Sequence, residues 1–293
     1  MKNALKFLGF LAVLFLGVAP QTTYAQLPDG NLNESGDPLM EESEGPLDEV
    51  TKKHLMVDSR VLAHDDVREA DIGLYERRIW RVIDVREKIN HPFAYPPRPF
   101  FQILLDAALA GDIKVYSNED DQFTYELTPD EVRATSAKPD TIVTFDPDTY
   151  EETTEIVVDE INPEDVKRFR IKEVWFFDKE SSTMQVRILG IAPILDEVDA
   201  DGNFLFENVL FWVYYPDARD VLAQEQVVTG YNDSSPLSWD DILQMRYFSS
   251  YVYKESNVKD LRIKDYAAGI DILLEGERIK ADIFNFEHDL WSY

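Results

Sequence analysis

Along the chain, apolar and polar positions change period several times, and each change marks an element. An unbroken apolar run fills residues 7–19. From residue 66 to 90 the apolar positions fit a helix: at about 100° per residue, Ile72, Leu74, Tyr75, Ile79, Val82, Ile83, Val85 and Ile89 cover one broad side, and Arg77, Arg81, Asp84 and Lys88 the other. His91-Pro92 and Tyr95-Pro96-Pro97 stop that predicted helix. Residues 99–110 predict a second helix, apolar nearly all round and closed by Gly111. Thr128-Pro129-Asp130-Glu131 reads as a capping box with Pro at the first helical position, Asn162-Pro163 opens another short turn, and Ser238-Trp239-Asp240-Asp241 starts a further helix. Residues 266–287 predict a final helix. Between these lie three strand-like runs, 169–177, 183–194 and 204–215, with turns at Asp178–Ser182 and Asp201-Gly202. The predicted class is α+β: a small antiparallel meander covered by helices on one side.

The predicted first helix carries the most pointed expectations. Residues 76–88 hold five bases and three acids inside a chain of net charge −28. A row of charges on a helix is ordinarily a solvated face with i,i+3 and i,i+4 pairs; here the alternative is a docking surface for an acidic partner, with Arg77, Trp80, Arg81, Asp84 and Lys88 as the candidate interface. Arg86 projects among Ile79, Val82, Ile83 and Ile89. A guanidinium cannot shed its proton, so the expectation is a structural buried charge, Arg86 paired with an acid distant in sequence.

Composition narrows the function. An excess of acids repels nucleic-acid phosphates and anionic lipid heads and favours a basic partner, so no nucleic acid is expected to bind. The chain has no cysteine, which excludes disulfide scaffolds, thiol catalysis and Cys-ligated metals. Lys2 and Lys6, the apolar run and Thr23-Tyr24-Ala25 read as a signal peptide over residues 1–25; thirteen apolar residues fall short of the roughly 20 a spanning helix needs, so no direct membrane span is expected. The expected address is periplasmic or secreted. Residues 26–50 combine three Pro, three Gly, eight acids and no base, and read as a disordered acidic tail. Residues 146–165, with nine acids and no base, read as an acidic loop or edge strand within a single α+β domain spanning 51–293.

Searching for chemistry returns little. No nucleophile elbow, P-loop, dinucleotide fingerprint or zinc helix occurs, and His54, His64, His91 and His288 lack metal-ligand spacing. Glu197-x-Asp199-x-Asp201-Gly202 echoes half a calcium loop, but Asn208 stands where the closing Glu belongs. No catalytic residue, cofactor or metal is expected. The alternative is a periplasmic binding module or carboxylate-based hydrolase, which asks for a pocket holding several acids.

The stretch Arg77-Arg78-Ile79-Trp80-Arg81-Val82-Ile83-Asp84-Val85-Arg86-Glu87-Lys88-Ile89-Asn90-His91-Pro92, followed by Tyr95-Pro96, resembles the GldN/PorN family of Bacteroidetes. So do residues 170–179, Leu210-Phe211-Trp212, Phe248-Ser249-Ser250-Tyr251, Lys254-Glu255-Ser256-Asn257 and Glu287-His288-Asp289-Leu290-Trp291. The resemblance implies a non-enzymatic periplasmic component of the type IX secretion system, in many members also serving gliding motility. It implies a ring of many copies built with an outer-membrane lipoprotein, GldK/PorK-like, and contact with the periplasmic region of a GldM/PorM-like motor protein.

Overall fold

The computed structural model describes residues 61–145, 152–199, 203–230 and 237–291, with backbone only for 138–145, 152–160 and 198. The chain divides into two units, Met1–His54 and Leu55–Tyr293, and the described residues all belong to the second. The signal peptide and acidic tail expected over 1–25 and 26–50 lie outside the described residues.

In chain order the elements are β1 (Glu76–Asp84), a 3-10 turn Lys88–Ala94, α1 (Phe100–Ala110), β2 (Val115–Tyr116), α2 (Pro129–Thr135), β3 (Ala137–Phe145), β4 (Glu152–Glu160), a 3-10 turn Pro163–Asp165, β5 (Val166–Asp178), β6 (Thr183–Val198), β7 (Phe204–Val209), β8 (Trp212–Tyr214), α3 (Tyr215–Leu222), β9 (Gln226–Val227), β10 (Leu237–Ser238), α4 (Trp239–Gln244), β11 (Tyr251–Glu255), α5 (Ile263–Tyr266) and α6 (Ile270–Trp291). The central sheet runs β11-β1-β5-β6-β8-β2, with β7 also on β6, and every pairing is antiparallel. The architecture is α+β, as the alternating pattern predicts.

The expected helix over 66–90 is corrected: its heart is β1, paired with β5 on one side and β11 on the other. The apolar positions 79, 82 and 83 satisfy a helical period, but Ile79, Trp80, Val82 and Ile83 are also a continuous buried run, the mark of a strand covered on both faces. The strand expected over 204–215 is likewise divided, into β7, β8 and the start of α3, where Tyr215-Pro216 opens a helix with Pro in its first turn. Part of the acidic 146–165 stretch is β4, hairpinned on β3; residues 146–151 lie outside the described residues. The capping boxes at Thr128 and Ser238 form, and Gly111 closes α1 at φ 82°.

Register explains the two layers. On one face Ile79, Arg81 and Ile83 lie opposite Glu173, Ile171 and Phe169 of β5; on the other Trp80, Val82 and Asp84 lie opposite Lys172, Arg170 and Arg168. The first face carries the helices. Ile83, Phe169, Ile171, Ile191 and Val213 pack beneath α1, α3 and α4, around a cluster of Phe93, Phe100, Phe169 and Trp239 with ring centroids 4.5–5.6 Å apart. Farther along that face Ile79 and Val252 pack under Ile263 of α5 and Ile279 and Ile283 of α6.

The second face is covered without a helix. Trp80, Ala192 and Trp212 pack with Phe123 from the irregular segment after β2. The Phe123 ring meets Tyr214 and Trp212 edge-on, at 5.3 and 6.1 Å. It can do so because Gly190 lies beneath it: a Cβ there would sit 2.5 Å from the ring. Gly190→Val should lift Phe123 off the sheet, destabilise the fold by about 1–3 kcal/mol in urea unfolding, and shift the tryptophan emission by wetting Trp212. An unchanged midpoint and spectrum would contradict this packing.

Candidate interaction surface

The five residues of the candidate interface do not share a face, because a strand sends neighbours to opposite sides. Arg77 is half-buried and donates to Glu255 at 3.1 Å. Trp80 and Arg81 are buried, on opposite sheet faces. Asp84 accepts from the Arg86 backbone N at 2.9 Å and from its guanidinium at 2.5–3.1 Å. Lys88 is exposed in the 3-10 turn. The expectation for Arg86 is corrected: its side chain is 68% exposed and its acid lies two residues away, not across the fold. The physics invoked for it applies to Arg81.

Glu173 of β5 is fully buried and engages both of its oxygens. Oε2 accepts from Arg81 Nε at 3.1 Å and Trp175 Nε1 at 3.0 Å; Oε1 accepts from Arg246 at 2.7 Å. Burial pulls the Arg81 guanidinium below its ordinary pKa, and Glu173 opposes that by stabilising the charged form. A second buried set ties α3 to α4: Arg219 donates twice to Asp240, at 3.0 Å each, and the Tyr215 hydroxyl donates to Asp240 at 2.5 Å. Asn90, buried beside β1, donates to the carbonyls of Asp84 and Ser249 and accepts from the Ser249 N–H, which pins the 3-10 turn to the approach to β11.

On the opposite face Arg168, Arg170 and Lys172 follow one another at alternate positions of β5, joined by Lys254 of β11. Glu207 of β7 accepts from Arg168 at 2.5 Å and Arg170 at 3.3 Å, and Asp196 of β6 also holds Arg168. Asp121 lies beside Lys172 and Lys254, and Asp260 pairs with Lys254 at 2.7 Å. The cations also lie over rings, Lys254 4.5 Å from Trp80 and Arg170 4.5 Å from Tyr253. Burial pushes the Tyr253 phenol up to about 12 and the Lys172 ammonium down. Most of these partners are distant in sequence, so period and spacing gave no sign of Glu173, Arg246, Asn90 or Asp121. The one available signal was charge inside strand-like runs, as in Arg170-x-Lys172-Glu173.

The buried acids Glu173 and Asp240 thus face arginines. Asp199, from the half calcium loop, spends its carboxylate on Asn203 across the turn, accepting from its N at 2.7 Å and its Nδ2 at 3.2 Å; Asp201-Gly202 lies outside the described residues. Among the described residues no group of three His, Asp or Glu could hold a metal ion, and no helix is long and apolar enough to cross a membrane.

Several large apolar residues also remain at the surface. A groove of about 670 Å³ is lined by Lys88, Ile89, His91, Tyr95, Pro96, Val228 and Tyr247. Phe204, Leu205 and Phe206 of β7 are exposed, as are Ile270, Leu273, Leu274 and Phe284 of α6. Such residues gathered on one element suit protein contact better than chemistry.

Two outcomes follow. Glu173→Ala leaves Arg81 buried without its anion and should cost about 3–5 kcal/mol, whereas Arg86→Ala should cost at most about 1 kcal/mol; equal losses in urea titrations would contradict the assignment. The carboxyls of Asp84, held by Arg86, of Glu131, held by the Thr128 N–H, and of Glu275, held by Arg278, lie below their ordinary values. Depressed carboxyls contribute stability above their unfolded pKa and lose it as pH falls through the folded value. The melting temperature should therefore fall below about pH 4, less steeply in Arg86→Ala, and a flat acid limb would count against these bonds.

No curated protein matched this chain in a search. The family described as "Gliding motility associated protein GldN" matches residues 67–292, from ahead of β1 to beyond the last described turn of α6. That span takes in β1, both buried charge clusters and both exposed apolar surfaces, and covers well over half of the sequence: the chain belongs to the GldN family.

Proposed function

We propose that this protein is a non-enzymatic structural subunit of the type IX secretion and gliding machinery, held in the periplasm and assembled as a ring with a GldK/PorK-like outer-membrane lipoprotein. The observation that carries the reading is the family match across 67–292. The signal-like N-terminus supports export. The distribution of side chains supports a structural role: the buried charges are spent on tying strands and helices together, and the exposed apolar residues of β7 and α6 offer contact area to other chains. A GldM/PorM-like motor domain is a second partner of this reading, and the groove beside Tyr95 and Tyr247 is open to it. In this role the sheet acts as a stiff tile, and the work done on it is mechanical.

Co-expression with the lipoprotein, mild solubilisation of the outer membrane and electron microscopy test the reading. The expected product is a large ring containing both chains. Recovery of the protein from the periplasmic fraction as a monomer free of any lipoprotein would overturn it.

A further inference from the structure

The chain enters the described domain through residues 61–68, which form neither helix nor strand. Val61 and Val67 of this strap are half-buried and Leu62 is 74% exposed, so its apolar anchorage is slight. Polar ties to the body hold it. Arg219 of α3 donates to the Leu62 carbonyl at 2.8 Å, Arg187 of β6 donates to His64 Nδ1 at 2.9 Å, and at the far end Arg68 lies 3.6 Å from Glu180.

The Arg187–His64 bond fixes a protonation state. A guanidinium has donors and no acceptor, so the imidazole nitrogen it meets must offer a lone pair. His64 is therefore neutral, with its proton on Nε2, while the strap is docked. An imidazolium has no lone pair to offer: on protonation the bond is lost and two cations face one another across the same 2.9 Å. Arg219 adds a further cation nearby, and Asp240 of α4 and Asp65 of the strap favour the charged ring. Neither acid cancels the repulsion. Asp240 is engaged by two bonds from Arg219 and one from the Tyr215 hydroxyl, and Asp65 travels with the strap. Asp178, the other acid that acts on Arg187, accepts from the Glu180 and Ser181 N–H groups and from Gln185. Partial burial, ahead of Arg187 and Arg219, holds the His64 pKa below its ordinary value. The residue is nevertheless open to solvent, so protons reach it freely.

We propose that His64 is an acid-sensitive latch: neutral, it lets Arg187 hold the strap on β6, and protonated, it frees the middle of the strap from the sheet. Leu62 stays tied, because the bond from Arg219 to a carbonyl involves no group that titrates near neutrality, so the release is confined to residues 63–67. Docking lowers the His64 pKa, so docking is favoured above the ordinary value of about 6.5 and is lost as pH falls through it. The latch goes beyond the ring reading and does not depend on it.

The absence of cysteine from the chain allows one spin label per molecule. Ala63→Cys in the full chain reports on the strap, and Ala281→Cys, exposed on α6, is the control. The label at 63 should be immobile at about pH 8 and mobile at about pH 5, with a midpoint below about 6.5 that matches the titration of the His64 ring protons by NMR, while the label at 281 does not change. His64→Gln, which keeps an acceptor and carries no charge, should hold the label at 63 immobile at both values; His64→Lys, charged at both, should leave it mobile at both. Arg187→Gln should raise the His64 midpoint toward its ordinary value. An acid transition that persists in His64→Gln would place the switch on another group and overturn the proposal. So would a wild-type strap that stays immobile at about pH 5, or a His64 midpoint that Arg187→Gln does not move. A change at 281 in step with the change at 63 would mean that the domain unfolds rather than that the strap is released, and would overturn it equally.

Discussion

Glu173 is the constraint around which the sheet is arranged. Its carboxylate is buried between two apolar clusters on the helix-bearing face, and three donors from three parts of the chain converge on it: Arg81 from β1, Trp175 from β5 and Arg246 from just past α4. A carboxylate in such a place is tolerable only when its lone pairs are filled, and a guanidinium beside it only when its charge is answered. Each group therefore fixes the others. Arg81 sets the register of β1 on β5, since a shift of one residue would turn it to the opposite face, away from Glu173. Arg246, whose φ of 56° is unusual for a non-glycine residue, holds the end of α4 over the same spot and stacks on Trp175 at 5.2 Å.

The reverse face repeats this in a longer row. β7 and the segment holding Asp121 and Phe123 are short, with few apolar residues turned inward. Glu207, Asp196 and Asp121 meet a line of cations there, which adds to the ladder that holds β7 on β6. The aromatic rings beneath Lys172, Lys254 and Arg170 add attraction from the sheet side. Ion pairs here do the covering that a helix layer does on the other face. Most of them join residues far apart in sequence.

That pattern also explains which parts of the fold the sequence disclosed. Elements defined by local chemistry were legible: α1 with its Gly111 stop, the capping boxes at Thr128 and Ser238, the turn at Asp178 and the strands β5 and β6. β1 was not. A strand buried on both faces loses its alternation, and when Arg81 and Trp80 are both inside, the remaining apolar positions fall into a helical period by accident. The rule that a buried guanidinium needs a distant acid was sound; on a helical projection it selected Arg86, and on the actual strand it belongs to Arg81. The candidate interface failed for the same reason, since Arg77, Trp80, Arg81, Asp84 and Lys88 share a side only if the segment is helical. Glu173 and Asp121 carry no local mark, because what distinguishes them is which residues the topology brings opposite.

Burying cations has a consequence for the outside. Arg81, Arg168, Arg170, Lys172, Arg219 and Lys254 are all turned inward or into tight pairs, Arg81 and Arg219 against acids that are themselves covered and the others against acids that reach the surface. Each buried base is one fewer on the surface of a chain of net charge −28. Copies of such a molecule repel one another over most approaches, and at moderate ionic strength that repulsion reaches about 8–10 Å. The electrostatics that hold the sheet together thereby also limit the directions in which one copy can approach another.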